Sequence, residues 1–242
     1  MSERAVSEVL SYILIFGVVM TAISIVYSQV YTSTVETSQK FKVEGIRESF
    51  KKIYNVFVLS VYGGAALQQI QIELQGGTIS VENCTYVSIN IGNEPYSIYT
   101  KSLNYQLGNY RISFENGALW ESYYGYNRSV QTPSIYIKSV QVPQASGVDQ
   151  VFVIVINEID GDVTVSGEGS IVIIFNSSLQ SSALYKEKDV TINITSPFAD
   201  LWEGYFRNFG SVSRENNTVI FNKHADTLIL TIYKTNVSTR GI

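Results

Sequence analysis

His224 is the only histidine of the chain and Cys84 its only cysteine. Any site chemistry therefore rests mainly on carboxylates and hydroxyls. His224 lies in "FNKHADT" and reads as a surface loop residue. A histidine-based triad would need Ser and Asp partners brought in by the fold, and no G-x-S-x-G nucleophile elbow occurs. "NEIDGDV" sets Glu158, Asp160 and Asp162 at alternate positions, as oxygen ligands for calcium could be, but the EF-hand order with its later glutamate is missing. Asp160-Gly161 reads more simply as a hairpin turn. Glycoside hydrolysis needs two acids that meet in space, a pairing the sequence does not reveal. A P-loop, a G-x-G-x-x-G and an H-E-x-x-H are all absent. One cysteine allows neither an intrachain disulfide nor a multi-cysteine metal spacing, so Cys84 reads as a small half-buried residue. The expectation is a protein that is not an enzyme and carries no cofactor or metal centre.

One carboxylate stands apart. Glu8 borders Val9–Tyr27, "VLSYILIFGVVMTAISIVY", which holds no charge. A helix of about 20 such residues spans a ~30 Å hydrocarbon core. The run is longer than the apolar region of a cleavable secretory signal, and no A-x-A site follows it. A transmembrane part is expected over about 9–29. Gly17, Thr21, Ser24 and Ser28 follow at spacings of four, three and four, which lines small residues along one face and lets membrane helices approach closely. Glu8 either interacts with the positive helix N-terminus or is held for a cation on a neighbouring chain.

"RAVSEVL" followed by a charge-free helix resembles the N-terminus of archaeal type IV pilin-like proteins, which carry a class III signal. The resemblance implies that a prepilin-type peptidase cuts after Arg4-Ala5, leaving Val6 first, or else after Arg4. Residues 1–5 would be the leader. The new ammonium would neutralise a neighbour's Glu8 as subunits stack. "VTINITSPFADLWEGYF" also resembles a segment of archaeal pilin-like membrane proteins in which strand and helix occur in this order. Both resemblances imply an architecture, and neither implies an activity.

The elements that carry these residues follow from periodicity. Val43, Ile46, Phe50, Ile53 and Phe57 recur at three and four, a heptad-like seam that continues the helix across 6–62. Glu48 can pair with Lys51 or Lys52, and Gly63-Gly64 is a stop. Past residue 65 the period becomes two. Strands are expected at Gln69–Leu74, Tyr86–Gly92, Gln150–Asn157, two within Asp160–Phe175, Asp189–Thr195, Thr218–Asn222 and Thr227–Lys234, with a hairpin around Asn116-Gly117. Gln150–Asn157 is nearly all apolar and reads as a central strand covered on both faces. In "SPFADLWEGYFRN", Ser196 fits an N-cap and Pro197 the first helical position, with Phe198, Leu201, Trp202, Tyr205 and Phe206 on one face. The fold class is thus α+β: a long N-terminal hydrophobic helix, then an antiparallel β-sandwich-like head over 65–242 with one short helix.

Net charge is −4 and charged residues are 16% of the chain, without a dominant basic patch, which argues against a nucleic-acid partner. The cluster from Lys40 to Lys52 reads as a solvated helix face, or else as a contact with anionic headgroups. Sequons occur at Asn83, Asn127, Asn176, Asn193, Asn216 and Asn236 and are candidate glycosylation sites, all beyond the anchor. They favour an outside head. Lys40, Lys42 and Arg47 favour the reverse by the positive-inside rule, but large domains translocate largely regardless of charge. The expected role is a pilin-like structural subunit of an archaeal cell-surface filament, membrane-anchored or filamentous, with copies of itself or other pilin-like subunits as partners. Alternatives are a single-pass protein displaying a β-sandwich binding module and, remotely, an extracytoplasmic glycosidase.

Overall fold

A computed structural model describes residues 3–133, 137–144 and 147–241, with side chains from residue 10 onward except at 144 and 147–149. The side chains of Arg4, Ala5, Val6 and Glu8 lie outside the described residues.

Helix α1 (Glu3–Tyr62) is unbroken through the apolar run and the seam. It stops at the two glycines as expected. The Gly63 N–H closes the last turn on the Leu59 carbonyl at 2.9 Å, and Gly64 takes φ +72°, the left-handed conformation that ends helices at little cost only for glycine. Glu48 pairs with Lys51 at 2.6 Å, the i+3 choice.

The chain divides into two compact units, one reaching Gly45 and the other running from Ile46 to the C-terminus. The second unit therefore contains the last turns of α1. Ile46, Phe50, Ile53 and Phe57 are fully buried there. Phe50 meets Tyr105 edge-on at 6.4 Å, and Phe57 meets Phe114 at 4.6 Å and Phe175 at 6.1 Å. The heptad-like seam is thus filled by the head's own aromatic residues, a geometry worth more than area burial alone.

The strands are β1 (Leu67–Glu73), β2 (Thr78–Ile91), β3 (Glu94–Leu107), β4 (Tyr110–Glu115), β5 (Ala118–Tyr123), β6 (Tyr126–Gln131), β7 (Ile137–Gln144), β8 (Gly147–Asp160), β9 (Thr164–Ser166), β10 (Ser170–Thr195), β11 (Ser211–Glu215) and β12 (Thr218–Gly241). They form one hydrogen-bonded sheet of 12 strands, ordered β6-β5-β4-β3-β2-β10-β12-β8-β7, with β1 on β10, β11 on β12 and β9 on β2. The α+β class stands: a long helix, an antiparallel-rich β head and one short helix. β4 and β5 make the expected hairpin, with Asn116 at φ 45° and Gly117 at φ 78°. Two positive values suit a two-residue turn that matches the strand twist.

Four details differ from expectation. The second strand expected within Asp160–Phe175 and the one at 189–195 are parts of one strand, β10, and those at 218–222 and 227–234 are parts of β12. The polar stretches between them stay extended because β10 and β12 pair along almost their whole length. A bulge between Leu179 and Ser181 shifts the alternation, so buried positions are 171, 173 and 175 before it and 190, 192 and 194 after it. Second, β8 runs parallel to β12, a direction that periodicity does not encode. Its Phe152, Ile154 and Ile156 are buried, while Val151, Val153 and Val155 are only half-buried, so one face is covered rather than both. Third, Asp160-Gly161 is not a hairpin: β9 pairs with β2. Fourth, Ser196 does not cap α2 (Ala199–Phe206), whose N-cap is Phe198; its hydroxyl instead accepts the Phe198 N–H at 3.0 Å, two residues before that N-cap. The aromatic face is as expected, with Phe198, Trp202, Tyr205 and Phe206 buried in a second core together with Trp120 and Phe221.

Truncating Phe57 leaves a void between Phe114 and Phe175. Phe57→Ala should cost about 3–5 kcal/mol, measured as a lowered denaturant midpoint. Leu59→Ala on the same helix, with Leu59 53% exposed, should cost far less.

Candidate functional site

Among the described residues, most of the exposed large apolar side chains lie on α1 before Ile46. Residues 10–41 are exposed throughout, including Leu10, Ile13, Leu14, Phe16, Ile23 and Val26. Contiguous apolar surface on this scale marks a membrane or protein contact. The segment is long and apolar enough to cross a membrane, and none of its most apolar window is buried.

The small face uses its hydroxyls in a way suited to that setting. Thr21 Oγ1 donates to the Gly17 carbonyl at 2.8 Å and Ser24 Oγ to the Met20 carbonyl at 2.8 Å. Thr32 and Thr34 do the same to Ser28 and Val30. Each hydroxyl proton is thereby satisfied within the helix, the only source available in hydrocarbon. A Cβ at Gly17 would meet nothing within 4 Å, so the glycine is not required by this chain's own packing.

In the head, the residues that could do chemistry are mostly committed. Asp160 lies 3.0 Å from Lys101 Nζ, and Lys234 Nζ lies 3.0 Å from Glu158 and 3.7 Å from Asp160. Asp160 also accepts the Gly161 N–H at 2.8 Å. Two ammonium groups thus stand where a calcium ion would have to bind. The Lys101 hydrogen bond holds the Asp160 carboxyl below its usual range. Cys84 is half-buried and bonded to the Ser102 hydroxyl; burial pushes its thiol up, away from reactive thiolate.

Sequence reasoning missed two buried acids on the β4–β5 hairpin. Glu121 accepts from Arg47 Nε at 2.8 Å and from Tyr110 at 3.3 Å, and it also pairs with Arg128. This bond ties α1 to the hairpin. Glu115 is fully buried; its carboxylate accepts the Trp202 indole N–H at 2.8 Å and the Ser196 hydroxyl at 3.0 Å. It links β4 to α2. Burial raises its pKa, against the lowering effect of these hydrogen bonds. The two acids have separate partners. Neither acid has a local signal, because the partners that hold each one, Ser196 and Trp202 for Glu115 and Arg47 for Glu121, are distant in sequence.

His224 is in β12 rather than a loop, exposed, with Nδ1 2.8 Å from Asp189 and Nε2 3.5 Å from Glu187. The Asp189 hydrogen bond, then that to Glu187, raises its pKa. Of the sequon residues, Asn83, Asn176, Asn216 and Asn236 are exposed, and Asn127 and Asn193 half-buried. Asn216 sits at the β11–β12 turn, with φ 53°. Asn176 and Asn236 are directly opposed across β10 and β12. Asn127 Nδ2 donates to Asp200 at 3.1 Å, and Asn193 stands mid-sheet between β2 and β12.

Fold and surface together define a β-rich head carried on a helix apolar enough to anchor in a membrane. The chain belongs to a family of unknown function, DUF7289, whose model matches residues 4–238. It is similar to an uncharacterized protein of Archaeoglobus fulgidus, with 24% identity over 284 aligned positions covering 98% of this chain and 90% of the relative. No solved structure matches.

Glu115 makes a signed prediction. Its folded pKa is raised, so its contribution is fully present below its unfolded value, about 4.3, and is lost as pH rises through the folded value. The stability of the parent relative to Glu115→Gln should therefore fall as pH is raised from about 4 towards neutrality. Paired thermal melts across that range check this; a difference independent of pH would contradict it.

Proposed function

We propose that this protein is a pilin-like structural subunit of an archaeal cell-surface filament. The observation that carries the reading is a single helix, α1, whose C-terminal turns bury one face in a β head while its apolar residues from Leu10 to Val35 are exposed among the described residues. Such a helix needs a second apolar environment, and both lipid and a bundle of equivalent helices supply one. Packing among copies is favoured by the Gly17, Thr21, Ser24 and Ser28 face, where Thr21 and Ser24 already have their hydroxyl protons bound.

In this reading a prepilin-type peptidase removes residues 1–5, or 1–4, and the new N-terminal ammonium neutralises a neighbour's Glu8. An uncompensated charge in apolar surroundings costs several kcal/mol, so this pair fixes axial register. The head faces outward, where sequons such as Asn216 can carry glycan. The role is architectural and not catalytic.

Glu8→Ala should still partition into membranes and yet give fewer or disordered filaments, seen by electron microscopy of sheared surface material. Normal filaments from this variant would rule out the register role. A native protein whose intact mass retains the leader, with no filament in the sheared fraction, would favour a single-pass protein displaying its β head as a binding module.

A further inference from the structure

Alternation along a strand puts every second side chain on one face. His224 and Asp226 of β12 therefore share a face; Glu187 of β10 has φ 49° and drops out of the ladder, and its carboxylate reaches the same face, 3.5 Å from His224 Nε2. The ladder pairs Asp189 with His224, and the flanking pairs Lys186 with Thr227 and Lys188 with Ala225 bring Glu187 beside Asp226. One imidazole and three carboxylates meet in a two-by-two array. Ligand atoms of Glu187, His224 and Asp226 all lie within 4.8 Å of one another.

The array is organised beyond proximity. Asp189 Oδ1 is 2.8 Å from His224 Nδ1, which leaves Nε2 on the side of Glu187, 3.5 Å from its Oε2. Asp226 is oriented by the Gln150 backbone N–H, which donates to its Oδ2 at 3.2 Å. Even with the ring protonated, three carboxylates leave the group two negative charges in excess.

We propose that Glu187, His224 and Asp226 bind a divalent transition metal, zinc above all, with Asp189 as the outer carboxylate. A metal-ligating imidazole commonly donates its other N–H to a carboxylate, which fixes the ring and raises its basicity. Mixed imidazole and carboxylate ligands suit zinc, whereas calcium and magnesium prefer oxygen alone. Three protein ligands leave a tetrahedral ion one position for water or an external ligand. The place in the fold gives the ion a task. β1 covers β10 as far as Asn176 and β2 covers it from Val190 onward, so the stretch that holds Glu187 and Asp189 has β12 as its strand neighbour. Zinc bridging β10 and β12 clamps this open edge. The proposal is independent of filament assembly.

The test is zinc titration of chelator-washed full-length protein in detergent, followed by calorimetry and by the imidazole NMR signals of the single histidine. Saturable uptake of one zinc per chain with a shifted imidazole signal is expected, and calcium or magnesium should not compete. His224→Ala should abolish uptake, Glu187→Gln should weaken it, and Asp189→Asn should weaken it ~10–100-fold. All three positions are exposed, and circular dichroism checks that the variants remain folded. Absence of saturable uptake below about 1 mM, near −4.1 kcal/mol, would overturn the proposal. So would uptake unchanged in His224→Ala, or imidazole signals that respond to pH and not to zinc, the behaviour of a plain ion pair.

Discussion

One helix has to satisfy two surroundings. Ile46, Phe50, Ile53 and Phe57 of α1 are buried in the head, with Phe50 and Phe57 against its aromatic rings, while residues 10–41 are exposed among the described residues. The hydrophobic effect acts on both parts alike, since burial of apolar area is favourable wherever it is found. The head supplies that burial for one part only. The fold is therefore incomplete in a specific sense: it is stable where strands surround the helix and leaves an apolar helical surface to be covered by something else.

The head is arranged around the buried part of the helix. Phe57 touches residues of both β4 and β10, and Arg47 is fixed to β5 through Glu121. At the helix end, the Ser60 hydroxyl donates to the Ala66 carbonyl at 3.0 Å and sits beside that of Ser177, which in turn meets Thr235 at 2.7 Å. This short polar chain joins α1 to β10 and β12, the two longest strands. A second core around Trp202 and Phe221 is tied to the first by Glu115, which reaches from β4 to α2. Buried charged or polar groups stay in an interior only when partnered, and Glu115 and Glu121 are each held by at least two donors.

Much of this is legible in the sequence, and what is not has physical causes. The apolar run, the seam, the Gly63-Gly64 stop and the Asn116-Gly117 turn depend on local chemistry, and each is found where periodicity or turn preference sets it. The joining of short strands into β10 and β12 is not local. Residues such as Ser181, Ser182 and Lys186 have no strand preference of their own and are extended because a ladder partner holds them. The parallel pairing of β8 with β12 likewise depends on a crossover that alternation does not record. His224 reads as a loop residue for the same reason: its neighbours Asn222 and Asp226 are turn formers by composition, yet lie in β12. Glu187, Asp189, His224 and Asp226 are 35 or more positions apart between the two strands at the Asp189–His224 pair, so only the register brings them together.

The central claim is that Leu10 to Val30 lies in an apolar environment that the head does not provide. Alkaline extraction of native membranes and sheared surface material, followed by mass spectrometry of every fraction, tests it directly. The account predicts that the chain stays with the lipid or the fibre and never appears as a free monomer. Recovery of the intact chain as a soluble monomer, with that segment protected from proteolysis, would contradict it.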